Sequence, residues 1–263
     1  MNAGRMSASG SRPTALITGP TAGIGLQFAL QLAASGHDLV LVSRTEDRLE
    51  KLAAEVREKY GVDVEVLVAD LGDRTSLADV EARLADPARP VDLLVNNAGF
   101  GLKHAFLENT VKQEQYLLDV LVTAVLRLTH AALGPMVARG GGSIVNVSSI
   151  SAYLPRGTYS AAKAYVTSLS EWADLTYRDR GVRVMALLPG FTKTEFHERM
   201  SVRRESAPAW LWLEAERLVR DALHDLEKGR RVSIPSKRYK AISVVARYTP
   251  KRVQARFQGL GRK

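Results

Sequence analysis

The chain has no cysteine among its 263 residues. That excludes disulfides, thiolate nucleophiles, Fe–S clusters and cysteine-based zinc sites. It suits a reducing compartment, so the cytoplasm is the expected location. Long hydrophobic runs are missing as well. Residues 13–36 carry no charge, but Gly19, Pro20, Gly23, Gly25, Gln27 and Gln31 interrupt them. They fall well short of the ~20 apolar residues a membrane span needs. Residues 1–12 are small, polar and glycine-containing, and read as a disordered leader. Acidic residues are absent from 236–263, which holds nine of the 37 Lys and Arg. The other basic residues balance the 28 Asp and Glu, so the net charge of +9 sits entirely in that basic C-terminal tail. The five histidines are scattered, with no H-E-x-x-H and no G-x-S-x-G, and no metal site is expected.

What is present is a globular composition, 46% hydrophobic and 25% charged. A chain of this length can bury roughly 70% of its surface. Short β-branched or aliphatic runs at 15–18, 39–43, 64–69, 93–96, 143–148, 182–188 and 231–234 read as seven strands. Stretches of helical length separate them. Residues 26–35 place Phe28, Ala29 and Leu32 on one face, and 46–59 carry Leu49, Leu52, Ala53 and Val56. The alternation predicts an α/β fold: a doubly wound, seven-stranded parallel sheet with helices on both faces. The strands lack in/out alternation, as expected when both faces are covered. A single domain is expected over 13–235, followed by the tail.

Four local patterns carry chemistry. Thr18-Gly19-Pro20-Thr21-Ala22-Gly23-Ile24-Gly25 joins the first strand to a helix. Glycines there let the backbone approach a pyrophosphate at the helix N-terminus. The spacing is G-x-x-x-G-x-G, and no Gly-Lys-Ser/Thr follows, so it is not a P-loop. The second strand ends in Ser43-Arg44, where a dinucleotide site usually has an acid for the ribose 2′-hydroxyl. Arg44 suits a 2′-phosphate instead. Asn96-Asn97-Ala98-Gly99 closes the fourth strand, on the edge where such sheets bind ligands. Tyr159 and Lys163 lie one helical turn apart. A cation near a tyrosine favours its phenolate, which makes a general acid/base for a carbonyl/alcohol pair. Ser148-Ser149, upstream, offers a hydroxyl to the substrate oxygen.

Together these patterns resemble the short-chain dehydrogenase/reductase family, in its short single-domain branch. Asp70-Leu71, Asn146–Ser149 and Pro189-Gly190-Phe191-Thr192-Lys193-Thr194 complete the set, in the family's order, over about 14–235. The resemblance implies a Rossmann-like fold and an NADP(H)-dependent oxidoreductase that interconverts a carbonyl and an alcohol. It implies that Tyr159 exchanges the proton, that Lys163 lowers the tyrosine pKa and holds the nicotinamide ribose, and that Ser149 orients the substrate. By the same carry-over Gly19, Thr21, Gly23, Ile24, Gly25, Arg44, Asp70, Leu71, Asn96, Ala98 and Gly99 bind cofactor. Pro189, Gly190, Thr192 and Thr194 join them, with Asp70 and Asn96 flanking the adenine and Thr194 meeting the carboxamide.

The chain departs from the family twice. Leu121 stands where the family usually has an Asn that links the lysine to solvent. Ser149 is ten residues before Tyr159, so the loop between them is clipped, with Ser148 as a fallback for the serine role. A protein that holds NADP without turnover therefore stays open as an alternative. Phe191, Phe196, Met200, Trp210, Leu211 and Trp212 mark a substrate loop at about 191–213 and an apolar substrate. The family's habit implies a homodimer or homotetramer. The tail mixes its cations with Tyr239, Ile242, Val244, Val245, Tyr248, Val253 and Phe257, so part of it is expected to pack. Its charge also fits peripheral contact with an anionic membrane. No nucleic-acid motif accompanies that charge, and nucleic acid is not the expected partner.

Overall fold

A computed structural model describes residues 12–194 and 208–249. Residues 1–11, the loop residues Phe196, His197 and Met200, and the terminal Pro250, Val253 and Phe257 lie outside the described residues.

Six strands alternate with helices as the apolar pattern requires. In chain order these are β1 (Thr14–Thr18), α1 (Gly23–Ala34), β2 (Asp38–Ser43), α2 (Glu46–Tyr60), β3 (Val64–Val68), α3 (Arg74–Ala85) and β4 (Leu93–Asn96). Then come α4 (Val111–Leu118), α5 (Ala124–Ala138), β5 (Gly142–Val147), α6 (Thr158–Tyr177) and β6 (Val182–Leu187). The short strands β7 (Thr192–Lys193) and β8 (Leu213–Glu214) pair with each other, and α7 (Ala215–Glu227), β9 (Val232–Ser233) and α8 (Lys237–Tyr248) follow. Seven strands form one parallel sheet in the order β3-β2-β1-β4-β5-β6-β9.

Each strand feeds two cores. Ile17, Leu41, Val95, Val145 and Met185 pack with Phe28 of α1, Leu49 of α2 and Val219 of α7. Their strand neighbours Leu16, Val40, Leu94, Ile144 and Val184 pack with Val80 of α3, Leu128 of α5 and Ala173 of α6. Successive residues point to opposite faces and both faces are covered, so the central strands are apolar at most positions. A wide π-turn, Asp119–Thr123, joins α4 to α5. The continuous helix 111–138 is long and apolar enough to cross a membrane by length and composition. Here it is a core helix, with Leu128, Ala132 and Met136 against the sheet.

The strand order reverses between β1 and β4, which opens a crevice beyond their carboxyl ends. The change in charge at 236 does not mark a change in fold. The chain continues into α8, whose Tyr239 is buried among Ile150, Leu188 and Ala186. Apolar contact at Tyr239 and Ile242 outweighs the charge of the exposed face, so 237–248 is part of the domain rather than a free tail.

Candidate active site

A cleft of about 270 Å³ opens at that crevice. One wall is the β1–α1 loop. Gly19 and Gly23 adopt φ of +65° and +57°, which side chains rarely tolerate. A Cβ on Gly23 would also fall 2.8 Å from Thr194. The α1 N-cap, Ala22, supplies no side-chain acceptor, so the first-turn N–H groups need another partner. Hydrogen bonds to its main chain, two of them from the Asn97 side chain, hold the loop. The Gly19 N–H donates to Val42 O at 2.8 Å, and the Asn97 amide donates to Thr18 O and Gly19 O, both at 3.0 Å. Unmet donors beside a cradle with no room for a Cβ fit the pyrophosphate of a dinucleotide.

Of the residues expected to bind cofactor, all but Gly25 and Asn96 line this cleft. Gly25 lies behind the loop, where a Cβ would sit 2.1 Å from Gly19 O. Its role is to let α1 press on the loop. Asn96 is buried and donates to Asn146 Oδ1 at 2.8 Å, while Asn146 donates to Ser170 at 3.0 Å. That ladder ties β4, β5 and α6 together beneath the cleft. Asn97, Phe100, Tyr116 and Val120 line the cleft without having been singled out as ligands. Asn97 belongs to the Asn96-Asn97-Ala98-Gly99 turn. Tyr116 reaches in from α4, and no local spacing marks it.

At the other end, α6 starts from Gly157, whose φ of +82° turns the chain into the helix. Tyr159 and Lys163 then project into the cleft with Ser149. The Ser149 side chain bonds the Tyr159 hydroxyl and accepts from the Ser151 N–H at 3.1 Å. Ser148 is occupied elsewhere: its hydroxyl donates to Lys163 O at 2.7 Å and meets Thr167 Oγ1 at 2.8 Å. Between the two serines, Ser149 is the one aimed at Tyr159. The Lys163 ammonium donates to Val147 O at 2.7 Å and lies 5.7 Å from the centre of the Tyr159 ring.

Burial pushes the Tyr159 pKa up to about 12, with the Ser149 hydrogen bond pulling the other way. Burial pushes Lys163 down to about 8. The expected depression of the tyrosine by the lysine is not what the protein alone shows. The lysine directs a proton to a carbonyl, and desolvation of the phenolate dominates. Leu121 is fully buried in the π-turn. Its Cδ2 lies 2.9 Å from where a Gly99 Cβ would be, and that point is 3.9 Å from Lys163 Nζ. An apolar plug therefore stands near the ammonium.

An apolar cluster packs beside the Ser149 end of the cleft. Phe191 and Trp212 pack with ring centroids 5.5 Å apart, and Tyr153 and Leu211 join the cluster around Ile150 and Tyr239. The Tyr239 hydroxyl accepts from the Phe191 N–H at 3.0 Å and donates to Leu211 O at 2.8 Å. The clipped loop forms a single 3₁₀ turn, Ile150–Tyr153, and the Arg247 guanidinium of α8 sits 5.3 Å over the Tyr153 ring.

A family model described as short chain dehydrogenase matches residues 13–205. The very-long-chain 3-oxoacyl-CoA reductase of Homo sapiens is 32% identical over 191 residues, covering 69% of this chain and 60% of that protein. The chain thus spans about 60% of the length of such curated relatives. A short-chain dehydrogenase from Sphingobium yanoikuyae, solved in complex with NADPH, superposes with a TM-score of 0.82 at 38% identity, covering 89% of this chain and 93% of that one. A bulky-bulky ketone specific alcohol dehydrogenase from Comamonas testosteroni gives 0.78 at 33% identity, covering 89% and 91%.

Proposed function

Because this chain belongs to the short-chain dehydrogenase family, we propose that it is an NADP(H)-dependent oxidoreductase that interconverts an apolar, bulky ketone and its alcohol. The observation that carries this reading is convergence. Ser149, Tyr159 and Lys163 share one cleft with a glycine cradle suited to pyrophosphate. When bound, the nicotinamide gives or takes a hydride at C4. The protein's part is to bind, orient and move a proton.

Ser149 and Tyr159, already bonded to each other, present two hydroxyls to one substrate oxygen. Tyr159 donates its proton to that oxygen in reduction and takes it back in oxidation. The high pKa of the buried phenol keeps it protonated and ready as the acid. Lys163 borders the same end of the cleft, where its ammonium is placed to hold the nicotinamide ribose. Arg44 at the carboxyl end of β2 supports a 2′-phosphate, and the strand itself ends in Ser43 rather than an acid. The Phe191–Trp212 pair and the clipped loop support a bulky apolar substrate. The NADPH in the Sphingobium structure and the bulky-bulky ketone specificity of the Comamonas alcohol dehydrogenase point the same way.

The test is cofactor oxidation against a panel of bulky ketones. Tyr159→Phe is expected to lower kcat by at least about 10²-fold while NADPH binding stays within about twofold. NADPH is expected to bind at least about tenfold tighter than NADH, and Arg44→Ala to erase most of that gap. No turnover by the unaltered protein on any ketone, with NADPH still bound, would favour a cofactor-holding protein instead.

The reading extends to a cytoplasmic homo-oligomer that rests on anionic lipid. The support is α8, which exposes Val244, Val245 and Tyr248 beside Lys240 and Arg247. Flotation with anionic vesicles at low and high salt checks it.

A further inference from the structure

At the adenosine end of the cleft, three side chains from three separate elements meet at one oxygen. Arg44 follows β2, Asp70 follows β3, and Tyr116 stands on α4. The Tyr116 hydroxyl lies 2.8 and 3.0 Å from the two Asp70 carboxylate oxygens and donates to them. The Arg44 guanidinium donates to the same hydroxyl at 2.8 Å. Arg44 and Asp70 are themselves 3.9 Å apart. The ring has a fixed seat. A Cβ on Gly72 would come within 2.1 Å of it, and Phe100 packs on it with centroids 5.6 Å apart. Asp70 is fixed in turn, because Oδ1 accepts the Gly72 N–H at 2.9 Å. All three side chains line the cleft.

A phenol has one proton and two lone pairs. Tyr116 spends the proton on Asp70, so Arg44 must be received on a lone pair. This has two effects. The carboxylate's charge is drawn toward the phenol, and the guanidinium is held beside the carboxylate rather than on it. Without the hydroxyl, an arginine and a carboxylate under 4 Å apart would close into a direct ion pair. That pair would occupy donors a phosphate needs and spend the guanidinium's charge on the carboxylate.

Resting on the NADP reading above, we propose that Tyr116 is a positioning residue that sets specificity for the 2′-phosphate. It holds Arg44 off Asp70 and open to the phosphate. Asp70 alone would make this corner of the cleft hostile to a second phosphate. The phenol bridge makes it tolerant.

The experiment titrates the full chain with 2′,5′-ADP and with 5′-AMP by calorimetry and compares the two dissociation constants. Tyr116→Phe keeps the ring on Gly72 and Phe100 and removes only the bridge. It is expected to weaken 2′,5′-ADP about tenfold and 5′-AMP less than about twofold. The double variant Tyr116→Phe/Asp70→Asn is expected to recover most of the ratio, because a neutral amide cannot capture Arg44. An unchanged ratio in Tyr116→Phe would overturn the proposal. So would an equal loss in the single and double variants, since that marks a merely structural ring contact. Arg44→Ala separates the layers: if it leaves the ratio unaltered, the 2′-phosphate reading itself fails. If it removes the preference while Tyr116→Phe is silent, only the role of Tyr116 fails.

Discussion

At the carboxyl ends of β1 and β4 the cleft is lined by a loop held through its backbone, whereas the apolar cluster beside its Ser149 end, around Phe191, is held by side chains from a distant helix. In the first region Gly19 bonds Val42, and Asn97 bonds Thr18 and Gly19, all through main-chain atoms on at least one side. In the second, Tyr239 of α8 reaches back 48 residues to Phe191, and Arg247 covers Tyr153. The difference separates two tasks. A pyrophosphate needs a fixed row of N–H donors, which main chain supplies with little freedom. On the function proposed above, the substrate end must differ between enzymes of one fold, and side chains on a late helix can change without disturbing the sheet.

The largest effect should follow from forcing a side chain into the backbone-built region. A Cβ at Gly25 would lie 2.1 Å from Gly19 O and 2.4 Å from Asn97 Nδ2, and main chain cannot step aside cheaply. Gly25→Ala is expected to cost about 2–4 kcal/mol of stability. Dinucleotide binding should become undetectable, although Gly25 does not touch the cleft. Gly134, in α5 with nothing within 4 Å, is the control. Gly134→Ala should stabilise by about 0.5–1 kcal/mol. Chemical denaturation and cofactor titration read both. If Gly25→Ala binds NADPH normally, the loop is not rigid.

A smaller effect should come from the side-chain-built region. Tyr239→Phe keeps the ring under Gly190 and removes the hydroxyl that joins Phe191 to Leu211. Two backbone groups lose a partner, at about 1–3 kcal/mol in total where water cannot reach them. NADPH affinity should stay within about twofold, and kcat/KM on a bulky ketone should fall about three- to thirtyfold. Equal losses in cofactor and ketone affinity would show that the two regions are not separable.

The same division explains what was legible from sequence. Glycine spacing after a strand, and Tyr159 one turn before Lys163, are local patterns with a local geometric reason, and the fold follows from strands apolar on both faces. Membership of a motif does not say which way a residue faces, so motif position alone assigns Gly25 and Asn96 to the ligand contacts. One packs behind the loop and the other under the sheet's edge. Tyr116 lies 46 residues from Asp70, and only tertiary packing brings them together. Charge marked 236 as a boundary because nine cations outweigh a few apolar residues in any composition count. The fold weighs burial of Tyr239 instead.

The smallest effect concerns the electrostatic cost stored in the reaction region alone. Lys163 is 5% exposed, and burial lowers its pKa to about 8 from the ordinary 10.5. Below pH 8 both folded and unfolded chains hold the proton, so folding bears the full cost of burying the ammonium. Between about pH 8 and 10.5 the unfolded chain still holds the proton and the folded chain has released it. The unfolded state then binds more protons, and stability rises with pH across that window. Lys163→Met removes the charge and keeps most of the stem. It loses the bond to Val147 O, which offsets part of the gain. The variant is expected to be more stable than the parent by about 1–2 kcal/mol at pH 7. That advantage should shrink steadily above pH 8 and vanish near pH 10.5. Tyr159, whose pKa is raised, adds the opposite slope only above pH 10 and in both proteins. Urea denaturation of both chains at pH 7, 8.5 and 10 measures the difference. A constant difference across those pH values would mean that Lys163 is not desolvated in the folded protein, and the two regions would then differ in architecture but not in electrostatic cost.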